Sequence, residues 1–138
     1  MTLAPPAPVR VLVADDSVGV RELLVLLLNM EDDFTVVGQA RDGVDAVELA
    51  ESLQPDLVIL DVSMPRLDGI EALPQVRAVC PGSQVVIFTG DSDTTMESEA
   101  RAAGAAAVIA KDMGANTLVE HLSQLVQAQR EGELPAAG

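Results

Sequence analysis

Five short β-rich runs, each followed by a segment with helical spacing, limit this chain to very few folds. The runs are Val9 to Ala14, Phe34 to Ala40, Leu57 to Leu60, Gln84 to Gly90 (with Thr89 at the strand end) and Ala106 to Ala110. Several are apolar at successive positions rather than alternate ones, so both faces must be covered. That pattern belongs to a parallel sheet with helices packed on each side. The expected class is α/β: a five-stranded parallel sheet, (βα)5 and doubly wound, with right-handed crossovers.

The intervening segments support this reading. Apolar residues at 20, 23, 24, 27 and 28 follow the helical period, and Val25 and Leu26 widen that face. This first helix is therefore expected to have little solvent exposure. A second helix is predicted over 42–53, and Pro55 breaks the chain before the third strand. The stretch "IEALPQVRAVC" is helix-like, but Pro74 should remove one backbone bond or shorten the helix. Residues 81–83 form a turn. Cap residues, helix formers and a closing Gly104 predict a fourth helix within 91–104, and a last helix spans 116–129. The domain is expected over 8–128, with tails at 1–7 and 129–138.

Totals exclude several classes. At 138 residues the chain fits one domain that can bury roughly two-thirds of its unfolded surface. A 49% hydrophobic composition argues against disorder. The longest apolar run, Leu23 to Leu28, is far short of the roughly 18 residues of a membrane span. The N-terminus "MTLAPPAPVR" lacks the pattern of a secretory signal. Cys80, the single cysteine, has no intrachain partner and reads as a small buried apolar residue. A cytoplasmic protein without membrane contact is the expectation. With 8 basic and 22 acidic residues the net charge is −14, which opposes nonspecific nucleic-acid binding by this chain alone.

The polar residues of interest fall at strand ends. Asp15 and Asp16 follow the first strand, Asp61 the third, Thr89 closes the fourth and Lys111 follows the fifth. In open α/β sheets ligands bind at this edge, where the strand order reverses. Each residue alone has a plain structural role, such as a helix cap or a solvated lysine. Together they make a site. Three carboxylates in one pocket repel, by about 4 kcal/mol per pair at 4 Å and an effective dielectric near 20. A cation relieves this, and an all-oxygen cluster suits Mg²⁺. With an ammonium and a hydroxyl nearby, an aspartate can accept a phosphoryl group.

These residues lie within "VADDS", "ILDVSMPRLDG", "FTG" and "IAKD", and over about Val9 to Gln127 the chain resembles the receiver domains of two-component response regulators. The segments "DGIEAL", "EARAAGA" and "KD" resemble receivers of NarL/LuxR-type regulators. The resemblance implies a flavodoxin-like receiver architecture and assigns roles. Asp61 accepts the phosphoryl group and helps hold Mg²⁺; Asp16 ligates it directly, Asp15 through water, and Ser63 through its backbone carbonyl. Thr89 and Lys111 contact the phosphoryl oxygens. Ser63 and Asp91 tune hydrolysis of the aspartyl phosphate. The implied donors are a sensor histidine kinase or small acyl phosphates, and the chain catalyses only its own phosphorylation and dephosphorylation. Helix 4, strand 5 and helix 5 would form the surface for an effector protein or a homodimer. The chain then acts as a stand-alone regulator or as the receiver half of a transcription regulator.

Two departures carry meaning. Val108 occupies the switch position where many receivers have an aromatic residue, and the chain has no Tyr, so no ring flip can occur there. Asp112 follows Lys111 where proline is usual, and a cis bond before a non-proline residue costs about 2.5–4 kcal/mol. Two other readings fit less well. An aspartate-nucleophile hydrolase of the haloacid dehalogenase kind needs an acid at the position of Ser63. A flavin-binding domain needs a Ser/Thr/Gly-rich phosphate loop where "DDSVG" stands.

Overall fold

A computed structural model describes residues 7–90 and 93–136. Five parallel strands form one sheet in the order β2-β1-β3-β4-β5. They are β1 (Val9–Ala14), β2 (Phe34–Ala40), β3 (Leu57–Leu60), β4 (Gln84–Thr89) and β5 (Ala107–Ala110). The helices α1 (Val18–Asn29), α2 (Gly43–Leu53), α3 (Gly69–Val79), α4 (Thr94–Ala102) and α5 (Ala115–Ala136) connect or follow them. This is the α/β, doubly wound arrangement expected from the sequence.

Strand side chains alternate between two cores. Leu12, Val58, Leu60, Val85 and Ile87 join residues of α2, α3 and α4 on one face. Val11, Val13, Ile59, Val86 and Ile109 join residues of α1 and α5 on the other. The period-2 geometry of a strand therefore explains why β3 is apolar at every position: each face has its own core.

The helix starts are capped as their sequences suggest. Ser17, Asp42, Asp68 and Asp93 each accept a bond from the backbone N–H three residues on. Such a bond satisfies one of the unpaired donors at a helix N-terminus. At the far end of α2, the Arg10 guanidinium donates to the carbonyls of Leu53 and Gln54. Gln54 takes a left-handed conformation there, with φ of 49°.

Three expectations meet a different outcome. α1 is not well covered: Leu23 and Leu26 are 47% and 60% exposed, and Met30 is 71% exposed. Its buried contacts come from Leu24 and Leu28, a narrower stripe than the apolar composition implied. α3 is not shortened at Pro74, which lies on its exposed side; of the two expected effects only the loss of one backbone bond remains, since proline has no N–H to donate. α5 runs on to Ala136, past the end expected at 129. Asp91, the second tuning position, lies outside the described residues, as do tail residues 1–6 and 137–138.

Candidate functional site

The order β2-β1-β3 reverses direction between β1 and β3, and the site forms at the C-terminal ends of those strands. The register pairs Ala14 with Leu60, so Asp15 and Asp61 leave the sheet side by side. The Asp61 N–H donates to the Ala14 carbonyl at 3.0 Å, and the Asp15 N–H to the Ala40 carbonyl at 3.0 Å. Both acids are buried, at 3% and 2% exposure, whereas Asp16 is exposed at the mouth.

Lys111 reaches back from the end of β5. Its Nζ lies 2.7 Å from Asp15 Oδ2 and 3.1 Å from Asp61 Oδ2. It also stands 6.0 Å from the centre of the Phe88 ring, the outer limit of a cation–π contact. Thr89, fully buried, closes β4 one strand beyond β3. Ser63, an exposed residue, donates its N–H to Asp61 Oδ1 at 3.4 Å. Val108 is half-buried in β5 and packs against the core on the α2–α3–α4 side. The bond from Lys111 to Asp112 is not cis.

Burial pushes the Asp61 carboxyl above its ordinary range, and the neighbouring Asp15 charge adds to this, while Lys111 opposes it. Burial also works against the Lys111 ammonium, but bonds to Asp15 and Asp61 overcome that effect and hold its pKa above normal. The site is thus a charge cluster that favours more cation than Lys111 alone provides.

Carboxylate oxygens of Asp15, Asp16 and Asp61 all lie within 4.8 Å of one another. Oxygens this close can share one small cation, and Mg²⁺ takes one or two carboxylates while keeping several waters. The donors are hard oxygens, and no His or Cys joins them. The residues present fit that ion.

Two groups near the site carried no signal in the sequence. Arg66, in the β3–α3 loop, donates from Nε and Nη2 to both oxygens of Asp42, at 2.9 and 3.0 Å. It does so from a left-handed conformation, φ 67°, which costs a non-glycine residue roughly 1–2 kcal/mol. The Arg66 bond holds the Asp42 carboxyl below its ordinary range against the opposing effect of burial. The second group is Arg21, which donates to the Asp15 carbonyl at 2.7 Å. The helix-cap pattern exposes Asp42 to sequence analysis, but nothing local pairs it with a residue 24 positions away.

The family profile described as "Response regulator receiver domain" matches residues 11–123, and the chain belongs to that family. Among its relatives, a Myxococcus xanthus protein named protein-glutamate methylesterase/protein-glutamine glutaminase 4 is 46% identical over 108 residues, covering 78% of this chain and 31% of the relative. The transcriptional regulatory protein PdtaR of Mycobacterium tuberculosis is 40% identical, covering 90% of this chain and 60% of its own length. This chain therefore spans between about a third and three-fifths of those two relatives. Among solved structures, the receiver domain of NarL from M. tuberculosis superposes with a TM-score of 0.82 at 31% identity, covering 88% of this chain and 98% of that one. The response regulator domain of Thermotoga maritima CheB gives 0.75 at 34% identity, covering 90% and 95%. The protein is accordingly a receiver domain of two-component signalling, similar to those of NarL- and LuxR-type regulators. Among the described residues, no helix is long and apolar enough to cross a membrane.

Proposed function

We propose that this receiver accepts a phosphoryl group on Asp61 in a Mg²⁺-dependent reaction and changes its partner-binding surface in response. The observation that carries the reading is the Lys111 ammonium bridging two buried carboxylates beside an exposed third. Asp16, Asp61 and the Ser63 carbonyl, with Asp15 through water, would hold Mg²⁺, which would supply neutralisation of charge on the phosphoryl oxygens. An ionised Asp61 oxygen attacks phosphorus, and the bond to the leaving group breaks with its electron pair on that group. Lys111 and Thr89 grip the transferring oxygens. Ser63 and Asp91, two residues beyond Asp61 and Thr89, set how readily water reaches the product. The chain catalyses only its own phosphorylation and its dephosphorylation, in which water takes the phosphoryl group as inorganic phosphate and the Asp61 carboxylate is restored.

The donor is the phosphohistidine of a sensor kinase or a small acyl phosphate, met in the cytoplasm. The receiver unit spans 8–128. Its output surface is α4, β5 and α5, serving an effector protein or a second copy, and the chain alone does not bind DNA. Val108 supports a switch in which Thr89 moves without an aromatic partner. The unit operates alone or within a transcription regulator, which accords with its partial coverage of longer relatives.

Mass spectrometry tests the central claim. Incubation with Mg²⁺ and an acyl phosphate should add one phosphoryl mass to the chain, and Asp61→Asn should abolish the gain. An unmodified mass for the parent chain with metal present would remove Asp61 from this role.

A further inference from the structure

Ser63 enters the proposed site through its backbone, so its carbonyl is only as well placed as the loop carrying it. That loop, between β3 and α3, is held at three points. The Gly69 N–H donates to the Val62 carbonyl at 2.9 Å, and a Cβ on Gly69 would fall 2.1 Å from the Asp61 carbonyl oxygen. The Leu67 carbonyl presses on the start of α2 so closely that a Cβ on Gly43 would lie 1.9 Å from it. Between these contacts, Arg66 grips Asp42 with two parallel bonds.

The first two contacts are backbone packing. The third is different in kind. Arg66 adopts a conformation that favours glycine, yet carries a long side chain that is 57% exposed and has water as an alternative. Its guanidinium nonetheless meets a carboxylate that is only 8% exposed and already caps α2. Because Asp42 is fixed at both oxygens, the pair ties the loop to a rigid helix end rather than to another loop.

We propose that Asp42 and Arg66 are positioning residues for cation binding: the pair fixes the β3–α3 loop so that the Ser63 carbonyl is set for the metal before the metal arrives. This rests on the Mg²⁺ site proposed above. Neither residue touches the cation. Their effect is on the loop's freedom, which otherwise must be lost when the cation binds.

The test uses the whole chain and three variants: Arg66→Gly, Arg66→Lys and Asp42→Asn. Mg²⁺ affinity is measured by calorimetric titration, stability by thermal unfolding, and loop order by amide hydrogen exchange without metal. Glycine relieves the left-handed backbone, which offsets part of the stability lost with the ion pair, so Arg66→Gly should lower the melting temperature no more than Asp42→Asn does. Its Mg²⁺ affinity should nevertheless fall roughly tenfold, in line with loss of a supporting partner behind a metal ligand. The Ser63, Met64 and Leu67 amides should exchange faster even in the metal-free chain. Arg66→Lys should fall between, because an ammonium cannot span both carboxylate oxygens in the same way. Asp42→Asn keeps a cap acceptor and should reproduce the Mg²⁺ defect. Parent-like Mg²⁺ affinity and loop protection in Arg66→Gly would reduce the pair to a stabilising contact and overturn the proposal. Absence of Mg²⁺ binding by the parent chain would sink both this proposal and the site it rests on, which separates the two failures.

Discussion

Asp61 and Asp42 are both buried acids at the end of an element, and their titrations move in opposite directions. Burial and Asp15 raise one; the Arg66 guanidinium lowers the other. A carboxyl whose folded pKa is lowered contributes stability that is fully present above its unfolded value, here 3.8, and is lost as pH falls through the folded value. Asp42→Asn should therefore be modestly less stable than the parent chain at pH 7, because its partner Arg66 is largely in water. The gap should close as pH drops below 3.8. Urea unfolding at pH 7 and at low pH checks this; a gap that persists unchanged in acid would point to packing rather than charge. Neither member of this pair was singled out from the sequence, though one left a local signal. "RDG" before an apolar run marks Asp42 as a cap, but Arg66 lies in a loop whose left-handed turn has no glycine to announce it.

α1 shows what helical period can and cannot say. The helical stripe through Val20, Leu24, Leu27 and Leu28 was legible, but six consecutive apolar residues hid that Leu23 and Leu26 lie outside it. The structure buries Leu24 and Leu28 and leaves Leu26 in water. Leu28→Ala should cost about 2–5 kcal/mol by opening a cavity. Leu26→Ala should change stability by no more than about 0.5 kcal/mol. Denaturant titration of both variants reads the difference, and equal losses would contradict the burial pattern. Pro74 was equally visible as a residue and equally silent as a consequence. On the exposed side of α3 it leaves the helix continuous from Gly69 to Val79.

Across the whole molecule, the sheet brings Asp15, Asp61, Thr89 and Lys111 together over a span of 96 positions. The proposed cation couples this convergence to folding. If Mg²⁺ binds the folded chain alone, a concentration about 100 times its dissociation constant should add about 2.7 kcal/mol of stability. Unfolding with and without Mg²⁺ measures this. Asp16→Ala should lose most of the gain, and Asp15→Ala less, since of these two only Asp16 is assigned direct contact. Equal losses would undo that division of roles. Sizing the chain with and without a beryllofluoride phosphoryl mimic would then show whether the α4–β5–α5 surface drives self-association.

By itself, the sequence determined the element order, the two-sided burial of β3 and the placing of Asp15, Asp61, Thr89 and Lys111 at or just past strand ends. These follow from periodicity and strand termination, which are local and cannot be satisfied another way without exposing apolar strands. Only the tertiary structure decided that Lys111 bridges Asp15 and Asp61, that Arg66 clamps Asp42, and that one side of α1 faces water. Each depends on residues far apart in the chain meeting at a particular angle. The packing of helices on the sheet sets that angle, and no local pattern encodes it.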